Sequence, residues 1–509
     1  MAIEISSVAL NEMTSYLIKV EVDITKGIPS FNIVGLVDTA VREAKERVRS
    51  AIINSGFEFP LGRITINLSP ANIKKVGSLF DLPIAIGILA SVNIIDINSI
   101  NDFVLFGELS LNGELRGVRG ALALTMESVK TDNFNIVVPD ENKEECALIQ
   151  QAKIFSFNNL NQCVDFFHYK DSLPYKKHYF SQEDSMLAFD FSDIHGQNST
   201  KRALEVACAG GHNIALYGPP GVGKTMLAKR IPSILPPLSY EESIELTRIY
   251  SVSGKLNTKV KLITDRPFRS PHNSSSLYSI IGGGYDLRAG EVTLAHKGVL
   301  FLDELLEFKR EAIEALRQPI EDKIVSISRI SGNVVYPANF MLVAAMNPCP
   351  CGYYNILESE ERCTCSQLEI SKYLKKLSGP LMDRLDIFSY VKPVVYEDLT
   401  GSHSTDASKV MRERIIKARE IQKKRFQGTT ITTNGEMNHA HIQEFCNVTN
   451  EGQALLKKVY NDNKLSARAY DKILKVSRTL GDLKNKKSID KIDIIEAISY
   501  RKFIENKVI

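Results

Sequence analysis

The chain has 509 residues, of which 44% are hydrophobic and 24% are charged, and its formal net charge is +3. This length exceeds what one hydrophobic core usually holds, and the composition is that of an ordinary soluble protein, so two or three domains are expected. The near-neutral charge neither requires nor excludes nucleic acid, and any nucleic-acid-binding surface must be a local basic patch.

The first residues and the longest apolar run bear on localisation. Residues 1–14 lack a basic segment followed by an apolar core, so no export signal is expected. The longest apolar run, at 82–95, is too short to span a bilayer. Eight cysteines without an export signal favour reduced thiols or metal ligands over disulfides. The sequence therefore predicts a cytoplasmic protein that has no membrane partner.

Residues 1–170 are predicted to form a compact α+β domain, because runs with the period of a strand alternate with runs with the period of a helix. The strand-like runs are 16–22, 64–68 and 134–138, and the helical runs are 40–55 and 81–91. Residues 171–185 have no clear period and are predicted to be a linker.

Residues 186–395 repeat a pattern of strand, loop and helix, which predicts a parallel sheet flanked by helices. Beyond them, residues 396–509 contain five amphipathic segments that predict an all-helical carboxy-terminal domain. These segments are 409–424, 438–447, 452–461, 466–480 and 489–503. The predicted fold class is multidomain α/β.

A glycine-rich loop lies between a strand-like run and a helical run early in the predicted parallel-sheet domain. Its residues are Gly218, Pro219, Pro220, Gly221, Val222, Gly223, Lys224 and Thr225. The glycines let backbone N–H groups surround phosphate oxygens, Lys224 can reach the β- and γ-phosphates, and Thr225 offers a hydroxyl to Mg²⁺. A glycine-rich turn without function is the alternative, but all eight positions obey the pattern in the required context. The loop predicts ATP and Mg²⁺ as ligands.

Two acidic residues follow the apolar run 299–302. Asp303 is placed to bind Mg²⁺, and Glu304 is placed to polarise the attacking water. For this pair alone, a strand followed by a solvated acidic helix start would be the better interpretation. Together with the phosphate loop, the pair predicts ATP hydrolysis.

Two further polar residues lie after this acidic pair. The segment 324–336 predicts a β-hairpin with a Ser-Gly-Asn turn and with Arg329 near its tip, where an arginine is either solvated or able to grip a nucleic-acid phosphate. Asn347 follows the apolar run 340–346, and its amide can hold the attacking water near the γ-phosphate.

Two C-x-C pairs follow Asn347 and bracket a short polar loop at 349–365. They are Cys349 with Cys351, and Cys363 with Cys365. Four thiolates can hold one tetrahedral Zn²⁺, and free cysteines are the alternative because the spacing is tighter than the usual C-x₂-C.

Two arginines are candidates for contacts with nucleotide. Arg384 follows a predicted amphipathic helix and could reach the γ-phosphate of a neighbouring subunit, the alternative being a salt bridge within the chain to Asp383 or Asp386. Arg468 lies at the start of a predicted helix, where a cation is unfavourable to the helix dipole unless it serves an anion.

The motifs GVLFLDEL, NPCPCG, GPLMDRLD and LSARAYDKILKVSRTL resemble those of the magnesium-chelatase-like AAA+ ATPases, and in particular the ComM/YifB family, over nearly the whole chain. The resemblance implies an AAA+ P-loop NTPase core at 186–395 and a carboxy-terminal helical lid domain. It also implies that Arg329 is the pre-sensor hairpin residue, Asn347 sensor 1, Arg384 a trans-acting arginine finger and Arg468 sensor 2.

The same resemblance implies a hexameric ring that uses ATP to migrate branched recombination intermediates in natural transformation, with single-stranded or branched DNA as its partner. Two alternatives stay open. One is a metal-chelatase-type ATPase that remodels a protein partner, and the other is an ATP-dependent protease.

The segment 1–170 resembles the Lon protease domain through PANIKKVGSLFDLPIAIGIL and GELSLNGELRGVRGALALT. Proteolysis by that fold needs a serine and a lysine within hydrogen-bond reach. Ser78 lies close to the serine position, whereas residues 117–125 offer Arg119 and no lysine. We therefore expect a domain that lacks the catalytic dyad and serves as a structural or DNA-binding collar.

Overall fold

The computed structural model describes residues 2–11, 13–176, 189–256, 262–284, 288–329, 332–354, 362–377, 379–394, 407–462 and 465–501. The chain forms two compact units. The first comprises Met1–Gln182 and Ser239–Ile263, and the second comprises Glu183–Leu238 and Thr264–Ile509. Among the described helices, none combines the length and the apolar character needed to cross a membrane.

The first unit is an α+β structure. Its strands are β1 (Ile3–Asn11), β2 (Thr14–Thr25), β3 (Ser30–Val34), β4 (Arg63–Ser69), β5 (Phe103–Leu105), β6 (Glu108–Leu109), β7 (Leu115–Arg116), β8 (Asn135–Pro139) and β9 (Lys153–Phe157). Its first five helices are α1 (Thr39–Asn54), α2 (Asp81–Ser91), α3 (Ala121–Lys130), α4 (Lys143–Cys146) and α5 (Leu160–Tyr169).

Seven of these strands form one mixed sheet in the order β3-β4-β2-β1-β5-β8-β9. β1 and β2 pair antiparallel, from Ile3 opposite Val22 to Asn11 opposite Thr14. Side chains alternate between the two faces of a strand, and the apolar ones pack against helices such as α2 to form a continuous hydrophobic core. This alternation is the reason that the sequence predicted an α+β domain here.

A helix from later in the chain, α9 (Tyr240–Val252), also belongs to the first unit. It packs on α3, the Tyr240 hydroxyl donates to the Leu148 carbonyl oxygen, and the Ser251 hydroxyl donates to the Glu145 carboxylate. By its position in the sequence, this helix falls inside the predicted domain 186–395. The structure differs because the partners of α9 lie in the amino-terminal part of the chain.

The predicted linker at 171–185 is described only as far as residue 176. Residues 171–176 have no regular secondary structure, but the Tyr175 N–H donates to the Ile154 carbonyl oxygen over 2.7 Å, and the Lys143 ammonium lies 5.5 Å from the centre of the Tyr175 ring. These six residues belong to the first unit, and Tyr175 attaches them to β9 and α4. The remainder of the predicted linker lies outside the described residues.

The second unit contains a parallel sheet of five strands and many helices. Its strands are β10 (Ile214–Tyr217), β11 (Phe268–Arg269), β12 (Gly282–Gly283), β13 (Arg288–Ala289), β14 (Val299–Leu302), β15 (Ile324–Arg329), β16 (Gly332–Pro337), β17 (Met341–Met346) and β18 (Ile387–Tyr390). Its helices before residue 395 are α6 (Asn198–Gly210), α7 (Lys224–Lys229), α8 (Ile231–Ile234), α10 (Leu277–Ile281), α11 (Glu291–Leu294), α12 (Arg310–Ala315), α13 (Arg317–Asp322), α14 (Gln367–Leu374) and α15 (Gly379–Met382).

The parallel sheet has the order β11-β14-β17-β10-β18. Every residue of β14 and β17 is buried, which accounts for their uninterrupted apolar sequences. β15 and β16 form a separate antiparallel hairpin in which Arg329 pairs with Gly332. Gly332 and Asn333, which the sequence analysis assigned to the turn, are therefore strand residues.

The described carboxy-terminal helices are α16 (Ser408–Arg425), α17 (His439–Phe445), α18 (Asn450–Asp462), α19 (Ala467–Leu483) and α20 (Lys491–Ser499). They begin and end within four residues of the predicted segments. Their buried residues, including Ile415 and Leu480, belong to the same hydrophobic cluster as Phe301 and Val343 of the sheet. The helices predicted as a separate domain at 396–509 thus share one core with the parallel sheet.

Candidate active site

Three motifs leave the parallel sheet from neighbouring strands. β10 leads into the loop 218–225, β14 into Asp303 and Glu304, and β17, which lies between those two strands, into Asn347. Because the carboxyl ends of parallel strands lie at one edge of a sheet, the three motifs meet there.

The glycine-rich loop has the backbone that its sequence requires. Gly221 and Gly223 have φ angles of +77° and +89°, in the left-handed region that favours glycine. A Cβ atom at Gly218 would lie 2.4 Å from the Val391 carbonyl oxygen. α7 then begins at Lys224, so its free N–H groups face the loop and favour bound phosphate.

The Lys224 ammonium is held by oxygen atoms of the site. It donates hydrogen bonds to the carbonyl oxygens of Gly218 and Pro219, over 2.8 and 2.7 Å, and to Asn347 Oδ1, over 3.0 Å. Burial lowers the pKa of Lys224 to about 8, although the carboxylates of Asp303 and Glu304 act in the opposite direction. A partly desolvated cation with acceptor partners is well suited to a phosphate group.

Thr225 and Asp303 form the second link between the motifs. Thr225 Oγ1 donates to Asp303 Oδ2 over 2.7 Å. A hydroxyl and a carboxylate at this separation are hard oxygen ligands of the kind that Mg²⁺ prefers, so these two residues fit a nucleotide-bound Mg²⁺. The ion would supply charge neutralisation at the phosphates.

Glu304 has an unusual backbone for a residue with a side chain, with a φ angle of +51°. Its N–H donates to Asp303 Oδ1 over 3.0 Å, and Asn273 Nδ2 donates to its carboxylate over 3.1 Å. These two bonds join the backbone of Glu304 to Asp303 and its carboxylate to Asn273, and they accompany a left-handed backbone of the kind found at functional sites. Asn273 precedes Glu304 by 31 residues and was not among the predicted site residues.

Arg384 is bound within its own chain. Its guanidinium donates to the Glu321 carboxylate and, from Nε, to the Arg317 carbonyl oxygen over 3.2 Å. Both partners belong to α13, which leads into the hairpin strand β15. Asp383 and Asp386 were the partners expected if Arg384 formed a salt bridge within the chain, but in the structure these carboxylates pair with Arg468 and Lys472 of α19.

Arg468 lies in the first turn of α19, whose N-cap is Ser466. Its Nη1 lies 3.4 Å from Asp383 Oδ2, and both side chains are largely exposed. In the structure, the anion that Arg468 serves is therefore Asp383.

Asp386, two residues after Arg384, is a buried link between the sheet and α19 that the sequence analysis missed. It accepts contacts from Lys472 Nζ at 2.9 Å and His212 Nδ1 at 3.3 Å, and His212 Nε2 lies 2.8 Å from Thr479 Oγ1. Burial opposes ionisation, but Lys472 and His212 hold the pKa of Asp386 far below its usual range. The helix that carries Arg468 is thus fixed to the segment that carries Arg384.

Arg329 is the last residue of β15, opposite Gly332. The connection at 330–331 and the Arg329 side chain lie outside the described residues. Its assigned contact with DNA remains a prediction.

The four cysteines predicted as a metal site lie together. Their Sγ atoms are within 4.8 Å of one another, with separations of 3.3 Å between Cys349 and Cys351 and 3.8 Å between Cys349 and Cys363. Four sulfur ligands around a tetrahedral Zn²⁺ are separated by about 3.8 Å. The fourth thiol is that of Cys365, which accepts a hydrogen bond from the Cys351 N–H over 3.4 Å. The cluster can therefore hold a metal ion.

The chain matches three family descriptions, which together span most of its length. These are "Magnesium chelatase, subunit ChlI" at residues 190–399, "Subunit ChlI of Mg-chelatase" at 20–142 and "Magnesium chelatase, subunit ChlI C-terminal" at 405–501. It is 42% identical over 486 residues to YifB of Escherichia coli (strain K12), which covers 95% of this chain and 94% of that protein. The chain belongs to the ComM/YifB family.

A second relative is Competence protein ComM of Haemophilus influenzae, which is 39% identical over 495 residues, or 96% of this chain and 95% of that protein. A weaker similarity, 25% identity over 39% of this chain and 42% of the other, links it to Lon protease 2 of Bacillus subtilis. The predicted family and the mixed, multidomain α/β character are confirmed. Membership in the magnesium-chelatase-like group implies AAA+ ATPase chemistry with ATP and Mg²⁺.

In this ComM/YifB family member, the described hydrogen bonds of Ser78 and of the nearby Lys75 go to different partners. The Ser78 hydroxyl donates to the Glu108 carboxylate, whereas the buried Lys75 donates to the Pro70 carbonyl oxygen. Arg119 lies against Gly254. Within the described part of the chain, no lysine is hydrogen-bonded to Ser78, so the serine–lysine pair that proteolysis by the Lon-type fold needs is not formed among these residues.

Proposed function

We propose that this protein is a cytoplasmic, ATP-driven DNA translocase or helicase, which works as a homo-hexameric ring and promotes branch migration of recombination intermediates in natural transformation. Similarity to a protein named for competence supports the biological setting. The structural observation that supports it best is the connection between β14 and β17. That connection starts at Asp303, passes through the β15–β16 hairpin and returns to the start of β17, whose other end leads into Asn347. This topology supports a coupling in which a change at the γ-phosphate moves the hairpin.

In this proposal, each residue of the site has one role. Lys224 binds the β- and γ-phosphates, while Thr225 and Asp303 hold Mg²⁺. Glu304 accepts the proton of the attacking water, and Asn347, which bonds to Lys224, orients that water.

Arg384 of one subunit completes the site of the next, where it stabilises the charge that develops on the γ-phosphoryl group. To do so, Arg384 gives up its bond to Glu321 and binds the phosphate of the neighbouring subunit. Arg468 likewise gives up its contact with Asp383 and binds the nucleotide of its own subunit. The exchange at Glu321 links the arginine finger to α13 and the hairpin. Arg329 at the end of the hairpin grips the backbone of single-stranded or branched DNA.

We propose Zn²⁺ as the metal of the four-cysteine cluster, because four thiolates at these separations match its tetrahedral preference. The site is structural in this proposal, since it leaves no open position for substrate.

The experiment that tests the function uses purified full-length protein, ATP, Mg²⁺ and a synthetic four-way DNA junction with labelled arms. We expect the junction to be converted into its branch-migrated products only when ATP is hydrolysed, and we expect branched DNA to stimulate the ATPase rate. A protein that hydrolyses ATP yet neither moves the junction nor responds to DNA would contradict the proposal.

A second candidate is an ATPase that remodels a protein partner in metal insertion. It is favoured by the three family descriptions, all of which name a magnesium chelatase subunit. The same experiment separates the two candidates, because a remodelling ATPase of that kind has no reason to be stimulated by a DNA junction.

A further inference from the structure

Cys349 and Cys351, the first two cysteines of the four-cysteine cluster, lie in a tight turn whose backbone is hydrogen-bonded to the Cys349 sulfur. The Gly352 N–H donates to the Cys349 carbonyl oxygen over 3.0 Å and to Cys349 Sγ over 3.2 Å. Cys349 is fully buried and Gly352 has a φ angle of +91°. The path of the turn 349–352 therefore depends on where its sulfur atoms are held.

The outer side of this turn lies on the phosphate loop. A Cβ atom at Gly352 would lie 2.5 Å from Pro220 Cδ and 3.3 Å from Pro220 Cγ, so only glycine lets the backbone approach the proline ring. Pro220 is the third of the eight loop residues. Displacing the turn must displace this part of the loop or open a gap beneath it.

The same turn is connected to the catalytic side of the site. Asn347, which accepts the Lys224 hydrogen bond, precedes Cys349 by two residues, and the Gly218 N–H lies 3.4 Å from the Met346 carbonyl oxygen. The phosphate loop thus has three contacts with the stretch from Met346 to Gly352: the bonds to Met346 and Asn347 at one end, and the approach of Pro220 to Gly352 at the other.

We propose that the four-cysteine site positions the phosphate loop. A metal ion held by the four thiolates fixes the backbone of the turn 349–352, and this turn holds Pro220 so that the loop keeps the conformation that binds phosphate. Gly352 and Pro220 are positioning residues in this view, because they act on the nucleotide through the loop backbone. The inference rests on the proposed nucleotide and zinc sites but not on any action upon DNA.

Metal binding and nucleotide binding are then thermodynamically linked. Loss of the metal weakens nucleotide binding, and nucleotide must by the same factor strengthen metal binding. This reciprocity allows a test in the unaltered protein.

The first measurement uses the unaltered full-length protein loaded with one Zn²⁺ per chain. The distribution of Zn²⁺ between the protein and a competing chromophoric chelator is measured at equilibrium with and without saturating ADP and Mg²⁺, and we expect ADP to raise the Zn²⁺ affinity of the protein roughly tenfold. An unchanged Zn²⁺ affinity, or a cluster that does not take up Zn²⁺ at all, overturns the proposal.

The second measurement uses Cys363→Ser with Cys365→Ser. This pair removes two ligands from the far side of the cluster and leaves every residue of the turn 349–352 and of the phosphate loop in place. We expect loss of the metal and roughly tenfold weaker binding of a fluorescent ADP analogue. Metal loss with unchanged ADP affinity contradicts the link.

The third measurement uses Gly352→Ala, which keeps all four thiols but places a methyl group against Pro220. We expect the metal to be retained and ADP affinity to fall. Gly428→Ala is the matched control, because Gly428 has a similar φ of +85° and no heavy atom within 4 Å of an added Cβ. Equal ADP affinity in the two variants would show that the contact does not position the loop. None of the three measurements contains DNA, so their results can be interpreted even if the proposed action on DNA is wrong.

Discussion

Thr225 Oγ1 donates a 2.7 Å hydrogen bond to Asp303 Oδ2, across two strands that are not neighbours in the sheet. β17 lies between them, and its own end carries Asn347, which bonds to Lys224. Two bonds thus join all three strand ends before nucleotide is considered. A site assembled in this way needs little rearrangement to bind Mg²⁺ and phosphate.

Glu304→Gln should separate ATP binding from hydrolysis. The amide can still accept the Asn273 bond but cannot take a proton from water, so we expect kcat to fall by a factor of about a hundred or more, with nucleotide affinity nearly unchanged. Steady-state ATPase assays and equilibrium ADP binding measure the two effects. Glu307→Gln, three residues further on, is the control and should retain activity.

Nucleotide affinity should depend on pH through Lys224. The pKa of this residue is about 8 rather than its ordinary value near 10.5, because the side chain is partly buried. The ammonium form binds phosphate, so affinity should be steady below about pH 7 and fall by up to roughly tenfold per pH unit above about pH 8. ADP titrations across this range test the sign. Lys224→Arg, whose guanidinium does not titrate there, should bind with a flat profile over the same range.

If Arg384 acts at the nucleotide of the neighbouring subunit, the Arg384→Ala variant should have no ATPase activity by itself but should regain activity when it is mixed with the Glu304→Gln variant. Glu304→Gln subunits keep an intact Arg384, and Arg384→Ala subunits keep an intact water-activating carboxylate. A mixed ring therefore contains complete sites where the two kinds of subunit meet in the right order, and we expect ATPase activity to reappear. Recovery of no activity at any mixing ratio would instead place Arg384 at the nucleotide of its own subunit.

Arg329→Ala should uncouple DNA movement from ATP turnover. Basal ATPase activity without DNA should remain within about a factor of two, because the change is at the far end of β15 from the sheet, whereas junction migration and DNA stimulation should be lost. Ser326→Ala, at an exposed position of the same strand, is the matched control. Equal loss of basal and DNA-dependent activity would remove the role assigned to Arg329.

Asp386→Asn should destabilise the second unit. It leaves the Lys472 ammonium largely buried without its counter-charge, which typically costs about 3 kcal/mol, whereas Asp383→Asn removes only an exposed pair worth less than about 1 kcal/mol. Because the folded-state pKa of Asp386 is depressed, its contribution is present above about pH 4 and disappears as the pH falls further. Denaturant unfolding of the two variants at neutral pH compares the free energies directly.

Local patterns predicted much of this molecule. The helices of the carboxy-terminal segment follow the period of their apolar residues, and the phosphate loop, Asp303 and Asn347 each follow an apolar strand, so their spacing along the chain indicated their places in the fold. Hydrogen-bond partners that lie far apart in the sequence could not be predicted from such local patterns. Glu321 lies 63 residues before Arg384, and Asn273 lies 31 before Glu304. Such contacts depend on how the elements pack, and an acidic or amide residue in a helix or loop carries no local mark of its partner.

The helix α9 follows the glycine-rich loop in the sequence but belongs to the first unit, and this order matters when the protein is synthesised. The first unit contains residues from both sides of the glycine-rich loop, since its last helix ends at Val252. A growing polypeptide cannot complete this unit until that helix has left the ribosome, by which time β10 and the loop have already emerged. A fragment ending near residue 182 would lack the helix that packs on α3, so any single continuous fragment that contains the whole first unit also contains the nucleotide motif.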